Sequence, residues 1–128
     1  MQVTEPESAE SRLHFDRDQT LRQIADLERE LTAIIASAAD GSAGSDDEHD
    51  PEGATVAFER QHVAALLDRA RTHLEAIEAA ARKLDAGRYE ICDICGGPIG
   101  AERLAARPAS LTCVRCAAIR GTAGPVGA

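Results

Sequence analysis

The sequence predicts an all-α-dominated chain: a long antiparallel coiled-coil hairpin, then a small four-cysteine finger and a short C-terminal helix. Three observations predict it. Two long stretches repeat their apolar residues every three or four positions, a glycine-rich acidic segment separates them, and all four cysteines fall within 25 residues.

The 128 residues favour one domain with little room for a second core. Aromatics are 2% (Phe15, Phe58 and Tyr89), so the core is thin and suits helices packed side by side rather than a deep pocket. The formal charge of −8 argues against non-specific binding to DNA or RNA, which needs clustered Lys and Arg. No apolar run approaches the roughly 20 residues of a membrane span. Met1–Ser11 is acidic and polar, unlike a signal peptide, so the expected location is the cytoplasm.

Met1–Ser11 is predicted to be loose, although Thr4-x-x-Glu7 with Pro6 has the form of a capping box. The helical period starts near Leu13. Ile24, Leu27, Leu31, Ile34 and Ala38 are spaced 3, 4, 3 and 4, the seam of a helix packing on one partner, and Leu21 and Ile35 widen that stripe. Gly41 is placed to end the first helix in a left-handed conformation. The acidic Asp46-Asp47-Glu48 cluster follows, then His49. Asp50 is placed to cap a second helix, Pro51 needs no amide donor at the first position, and Glu52 faces the positive dipole end.

The second helix is predicted from about Pro51 to Ala86. Val63, Leu67, Ala70, Leu74, Ile77, Ala81 and Leu84 alternate 4 and 3, with Val56 one heptad earlier, and Gly87 supplies the stop. Residues 12–86 thus form a hairpin whose tip lies at about 40–52. With the turn centred near Ser45, Ile34 meets Val56, Leu27 meets Val63 and Leu13 meets Ile77. At roughly 1.5 Å per residue the second helix is about 50 Å long.

Cys92-Asp-Ile-Cys95 and Cys113-Val-Arg-Cys116 are separated by 17 residues. Two C-x2-C knuckles at this spacing are those of a tetrahedral thiolate zinc site. Disulfides and a redox C-x-x-C motif are the alternatives, but no export signal and no βαβ pattern accompany them. With four protein ligands there is no open position for a substrate, so one structural Zn²⁺ is predicted. Gly96-Gly97 stands where the backbone turns back towards sulfur and a Cβ would obstruct. Ile99, Leu104 and Leu111 cover one face of the finger, and metal binding supplies the stability that they lack. Arg115 and Arg120 lie in or after the last knuckle, on a short helix ending at Gly121. Residues 121–128 are predicted to be a loose tail.

The run Gly87-Arg-Tyr89-Glu-Ile-Cys92-x-x-Cys95-Gly96-x-x-Ile99, with Arg103-Leu104-x-Ala106-Arg107-Pro108 and Cys113-x-x-Cys116, resembles the DksA/TraR family of bacterial zinc-finger transcription factors. The resemblance is close over Gly87–Cys116, and the preceding hairpin matches in architecture. It implies direct binding to RNA polymerase rather than to DNA. It also implies a finger at the rim of the secondary channel and a coiled coil that carries acidic tip residues inward to modulate initiation. The chain is expected to be a monomer. The family's D-x-x-D-x-A tip is altered here. Asp47-x-x-Asp50 keeps the carboxylate spacing, but Glu52 stands where alanine would be. Counted back from Cys92, Glu52-Gly53-Ala54 takes the place of D-x-A and His49 that of the first Asp. Both registers stay open, with Asp50 and Glu52 the leading tip residues and Asp47 next. Alarmone-responsive members use basic residues at the junction of coil and finger. Arg107 remains, but the matching positions are Ala76 and Ala117, so no alarmone dependence is expected.

His14, His62 and His73 are read as surface or seam-edge residues. Arg103 and Arg107 are candidates for partner contact or for pinning the finger to the hairpin base, with packing favoured for Arg103. Other functions compete. A zinc-ribbon nucleic-acid module has five Arg against three acids in Gly87–Ala128 and only Tyr89 for stacking. A general stress adaptor would bind some other helix through the hairpin. No paired nucleophile and base, phosphate loop or open metal position points to an enzyme. Only transcript cleavage through Asp46-Asp47-Glu48 keeps a catalytic variant in view.

Overall fold

The computed structural model describes residues 8–40 and 51–123. The described elements are four helices: α1 (Ala9–Asp40), α2 (Pro51–Asp85), α3 (Ala101–Ala106) and α4 (Val114–Ala123). The long pair forms an antiparallel hairpin and the four-cysteine finger follows it. Among the described residues, no helix is long and apolar enough to cross a membrane.

Helix α1 begins three residues ahead of the expected start at 12, because Ser8 caps it. The Ser8 Oγ accepts the Ser11 amide at 3.1 Å, and the Ser8 carbonyl accepts the Arg12 amide at 3.0 Å. The Thr4–Glu7 capping box lies outside the described residues, as do Gly41, the acidic cluster and Asp50. Helix α2 opens at Pro51, a first position that asks for no amide donor. It closes in a Schellman motif. Gly87 takes φ +76°, its amide donates to the Leu84 carbonyl at 3.1 Å, and the Arg88 amide reaches the Lys83 carbonyl at 2.8 Å. Arg82 and Lys83 in the last turn complement the negative end of the helix dipole.

Two compact units divide the chain. In the unit Gln19–Thr72, Ile24, Leu27, Val63, Leu67 and Ala70 are buried, as the two seams predict. Leu31, Ile34, Ala38 and Val56 are half-buried, and the Arg71 guanidinium pairs with Glu28 at 2.7 Å across the seam. The expected widening of the α1 stripe is corrected: Leu21 and Ile35 are exposed, because a two-helix seam is too narrow to cover the flanking positions. Thr20 takes a buried place in this unit instead.

The other unit joins the start of α1 and the end of α2 to the finger. Its core gathers Leu13, Ile77 and Ala80 from the long helices with Tyr89, Cys92, Ile99, Leu104, Ala109 and Cys116. Leu13 and Ile77 thus share one cluster, as the hairpin register requires. The Tyr89 hydroxyl donates to the Pro108 carbonyl at 2.8 Å. Burial raises the Tyr89 pKa, and the neighbouring Arg12 guanidinium opposes that rise. On the surface of this unit, His73 pairs with Asp16 at 3.0 Å and His14 with Asp18 at 3.5 Å, the edge positions expected of them.

Candidate metal centre

The first knuckle is a tight loop. The Cys92 amide donates to the Gly97 carbonyl at 2.7 Å and the Gly96 amide to the Cys92 carbonyl at 3.0 Å. Amides also face the sulfurs: Ile94 N–H lies 3.4 Å from Cys92 Sγ, and Gly97 N–H lies 3.4 Å from Cys95 Sγ. Ile91 bridges to Pro98 and the Ile99 amide reaches the Glu90 carbonyl at 2.8 Å, closing the loop at its base.

The reason for the two glycines differs from the expected obstruction. A Cβ on Gly96 would meet nothing within 4 Å, and Gly96 is required because its φ is +76°. A Cβ on Gly97 would meet Cys95 Sγ at 3.5 Å, an ordinary contact.

Cys113 caps α4. Its Sγ takes the Cys116 amide at 3.5 Å and its carbonyl the Ala117 amide at 2.9 Å, so a ligand sulfur occupies the electropositive end of the helix. Gly121 does not end α4, which runs on to Ala123. The short α3 was not legible in the sequence, and it places Arg103. That side chain is half-buried, and its Nε donates to the Thr112 carbonyl at 2.9 Å, next to Cys113. Arg107 ends α3 through its amide, which donates to the Arg103 carbonyl at 2.7 Å, while its side chain is exposed.

The four sulfurs of Cys92, Cys95, Cys113 and Cys116 all lie within 4.8 Å of one another, and Cys95 and Cys113 are 3.9 Å apart. Tetrahedral bonds of about 2.3 Å to zinc set sulfurs about 3.8 Å apart, so the cluster fits one Zn²⁺. Cys92 and Cys116 are buried, whereas Cys95 is exposed. The acid–base environment is uneven. Backbone amides, that of Cys95 first, lower the Cys92 pKa to about 6, against an opposing effect of burial. The Cys116 amide lowers that of Cys113. Burial first, then the neighbouring thiols, push Cys116 up to about 12. Metal binding must therefore displace a proton from Cys116 while Cys92 offers a ready thiolate.

The profile of the prokaryotic dksA/traR C4-type zinc finger matches residues 87–120. The structure of transcription factor DksA2 from Pseudomonas aeruginosa superposes with a TM-score of 0.50 at 30% identity, covering 87% of this chain and 84% of that one. The chain belongs to the DksA/TraR family. The RNA polymerase-binding transcription factor DksA of Haemophilus influenzae is 45% identical over 49 residues, 38% of this chain. The uncharacterized protein YteA of Bacillus subtilis is 36% identical over 72 residues, 56% of this chain. The matches span 34% and 30% of the length of these two curated relatives. The family's C4 finger and the sulfur geometry agree that the four cysteines are positioned to hold one zinc ion. Among the tip residues, Asp47 and Asp50 lie outside the described residues, and Glu52 belongs to the helical run that opens α2.

Proposed function

We propose that this protein is a cytoplasmic transcription regulator that binds RNA polymerase directly, as a monomer. Its coiled-coil tip enters the secondary channel and modulates initiation, and the chain itself catalyses nothing. The observation that carries the reading is the likeness to DksA2 over 84% of that chain, beside this chain's own pair of long helices followed by a four-cysteine finger. A thin acidic hairpin suits a channel whose walls attract nucleotide phosphates, because the same field would draw in its carboxylates. Asp50 and Glu52, then Asp47, are the residues assigned to the working end. Exposed Phe58 and Ile35 offer apolar contact on the hairpin, and exposed Arg107 offers a cation on the finger.

The test is capture of purified RNA polymerase by the zinc-loaded chain, together with open-complex lifetime at a chosen promoter. Wild type is expected to bind polymerase and change the lifetime. The Asp50→Ala/Glu52→Ala variant is expected to bind equally and lose the effect. Failure of the wild type to bind polymerase overturns the proposal. Loss of binding in the double variant would make the tip an anchor and overturn the division of labour.

A further inference from the structure

The chain uses arginine for thirteen of its fourteen basic residues, and its one lysine is Lys83. That residue occupies a joint. Its side chain is only 13% exposed, Nζ donates to the Ile91 carbonyl at 2.6 Å, and it pairs with the Asp93 carboxylate at 2.9 Å. Ile91 and Asp93 flank the ligand Cys92 on either side. The Lys83 carbonyl meanwhile accepts the Arg88 amide that closes α2. Asp93 extends the chain of contacts, since its amide donates to the Leu111 carbonyl at 2.9 Å, two residues before Cys113. One ammonium thus fastens the end of α2 to the Ile91 carbonyl and the Asp93 carboxylate, on either side of a buried zinc ligand.

The chemistry accounts for lysine at this place. An ammonium is a compact charge with three donors at tetrahedral angles, and it can serve a carbonyl and a carboxylate that converge from different directions. A guanidinium is planar and longer, and it delivers parallel donors to one planar acceptor. In a half-buried joint with two non-parallel acceptors, arginine would have to displace one of them.

We propose that Lys83 is the positioning residue of the metal centre. Its ammonium holds Ile91 and Asp93 so that Cys92 is presented for zinc, and zinc loading in turn keeps the Lys83 amine shielded. Cys92 belongs to a buried core shared with Ile77 and Ala80, so the clamp couples metal occupancy to the order of the last turns of α2.

The zinc-loaded chain tests this in two ways. The first is the rate of zinc release to an excess of a chromogenic chelator. Outer partners of metal ligands commonly change metal affinity by about 10- to 100-fold, so Lys83→Met is expected to release zinc at least about tenfold faster at unchanged helix content. Lys83→Arg restores charge but not geometry and is expected to remain at least about threefold faster than wild type. The second readout is acylation of Lys83 by an amine-reactive ester, followed by peptide mass spectrometry with an exposed lysine amide as reference. As the only lysine in the chain, it gives a single side-chain signal. Labelling is expected to be slow in the zinc-loaded chain and to rise about tenfold after chelation, in step with loss of the clamp. Zinc release from Lys83→Met within twofold of wild type, full rescue by arginine, or zinc-independent labelling would each overturn the proposal. If Lys83→Met does not fold, labelling of the unmodified chain decides.

Discussion

Alanine at Gly96 and at Gly97 separates two explanations of the glycine pair. At Gly96 the backbone is left-handed, φ +76°, and the space a Cβ would enter is open. An L-residue pays about 1–2 kcal/mol for that conformation. Part is returned because alanine has about 0.4–1 kcal/mol less conformational entropy to lose from the unfolded chain. The net cost is about 1 kcal/mol, and it falls on the metal-holding conformation, because the knuckle acquires this backbone only when it is formed. Gly96→Ala is therefore expected to weaken zinc binding about fivefold, since about 1.4 kcal/mol is tenfold. Gly97 has no left-handed φ, and its Cβ would sit at 3.5 Å from Cys95 Sγ. Its amide, which faces that sulfur, survives the substitution. Gly97→Ala is expected to change zinc affinity by less than about twofold, or to improve it slightly. Gly96→Asn should fall between them, because asparagine tolerates the left-handed region better than alanine. Competition for zinc against a chelator of known affinity, at fixed pH, measures all three. A larger loss from Gly97→Ala than from Gly96→Ala would refute the conformational account and restore a steric one.

Two further outcomes follow from the core and from the thiols. Ile77 is 1% exposed at the meeting of hairpin and finger, so Ile77→Ala is expected to cost about 2–5 kcal/mol in urea unfolding of the zinc-loaded chain, whereas Phe58→Ala, 72% exposed, should stay within about 0.5 kcal/mol. Zinc affinity is expected to rise at least about tenfold per pH unit between pH 6 and 8, because binding expels the proton that burial keeps on Cys116. Cys92 acts in the same direction over a lower range: its pKa is depressed to about 6, so its thiolate is available to zinc through neutrality and is lost only as the pH falls through about 6. Chelator competition across pH 5–8 checks both contributions, and a flat profile would contradict them.

Much of this architecture was legible because its physics is local. The 3-and-4 spacing along α2 puts Val63, Leu67, Ala70 and Ile77 on one stripe, and the structure buries each of them, as it buries Ile24 and Leu27 on the stripe of α1. Gly87 signals a helix end because only glycine takes a left-handed backbone without cost, and two C-x2-C pairs have few other uses. What escaped was decided elsewhere in the chain. Ala80 is fully buried although an alanine on a helix carries no signal of its own, and Thr20 is buried where a polar side chain predicts exposure. Helix α3 has six residues between Gly100 and Arg107, too few to show a period. The sequence favours packing for Arg103 without naming its partner and carries no signal for Lys83; each reaches a backbone carbonyl beside a knuckle, which only the folded path of the loops determines.

Those two carbonyl contacts bear on how the small finger is held. A four-cysteine loop with Ile99, Leu104 and Leu111 has too few apolar groups to fold by burial alone, and zinc supplies much of the difference. The buried cluster adds Leu13 from α1 and Ile77 and Ala80 from α2, so the apolar face of the finger is completed by the hairpin base. Arg103 then fixes Thr112 before the second knuckle, and Lys83 fixes Ile91 and Asp93 around the first. Each pair of ligands is thereby held from outside the metal as well as by it. Zinc binding and the ordering of the last turns of α2 consequently draw on the same contacts, and a change in either must be felt by the other.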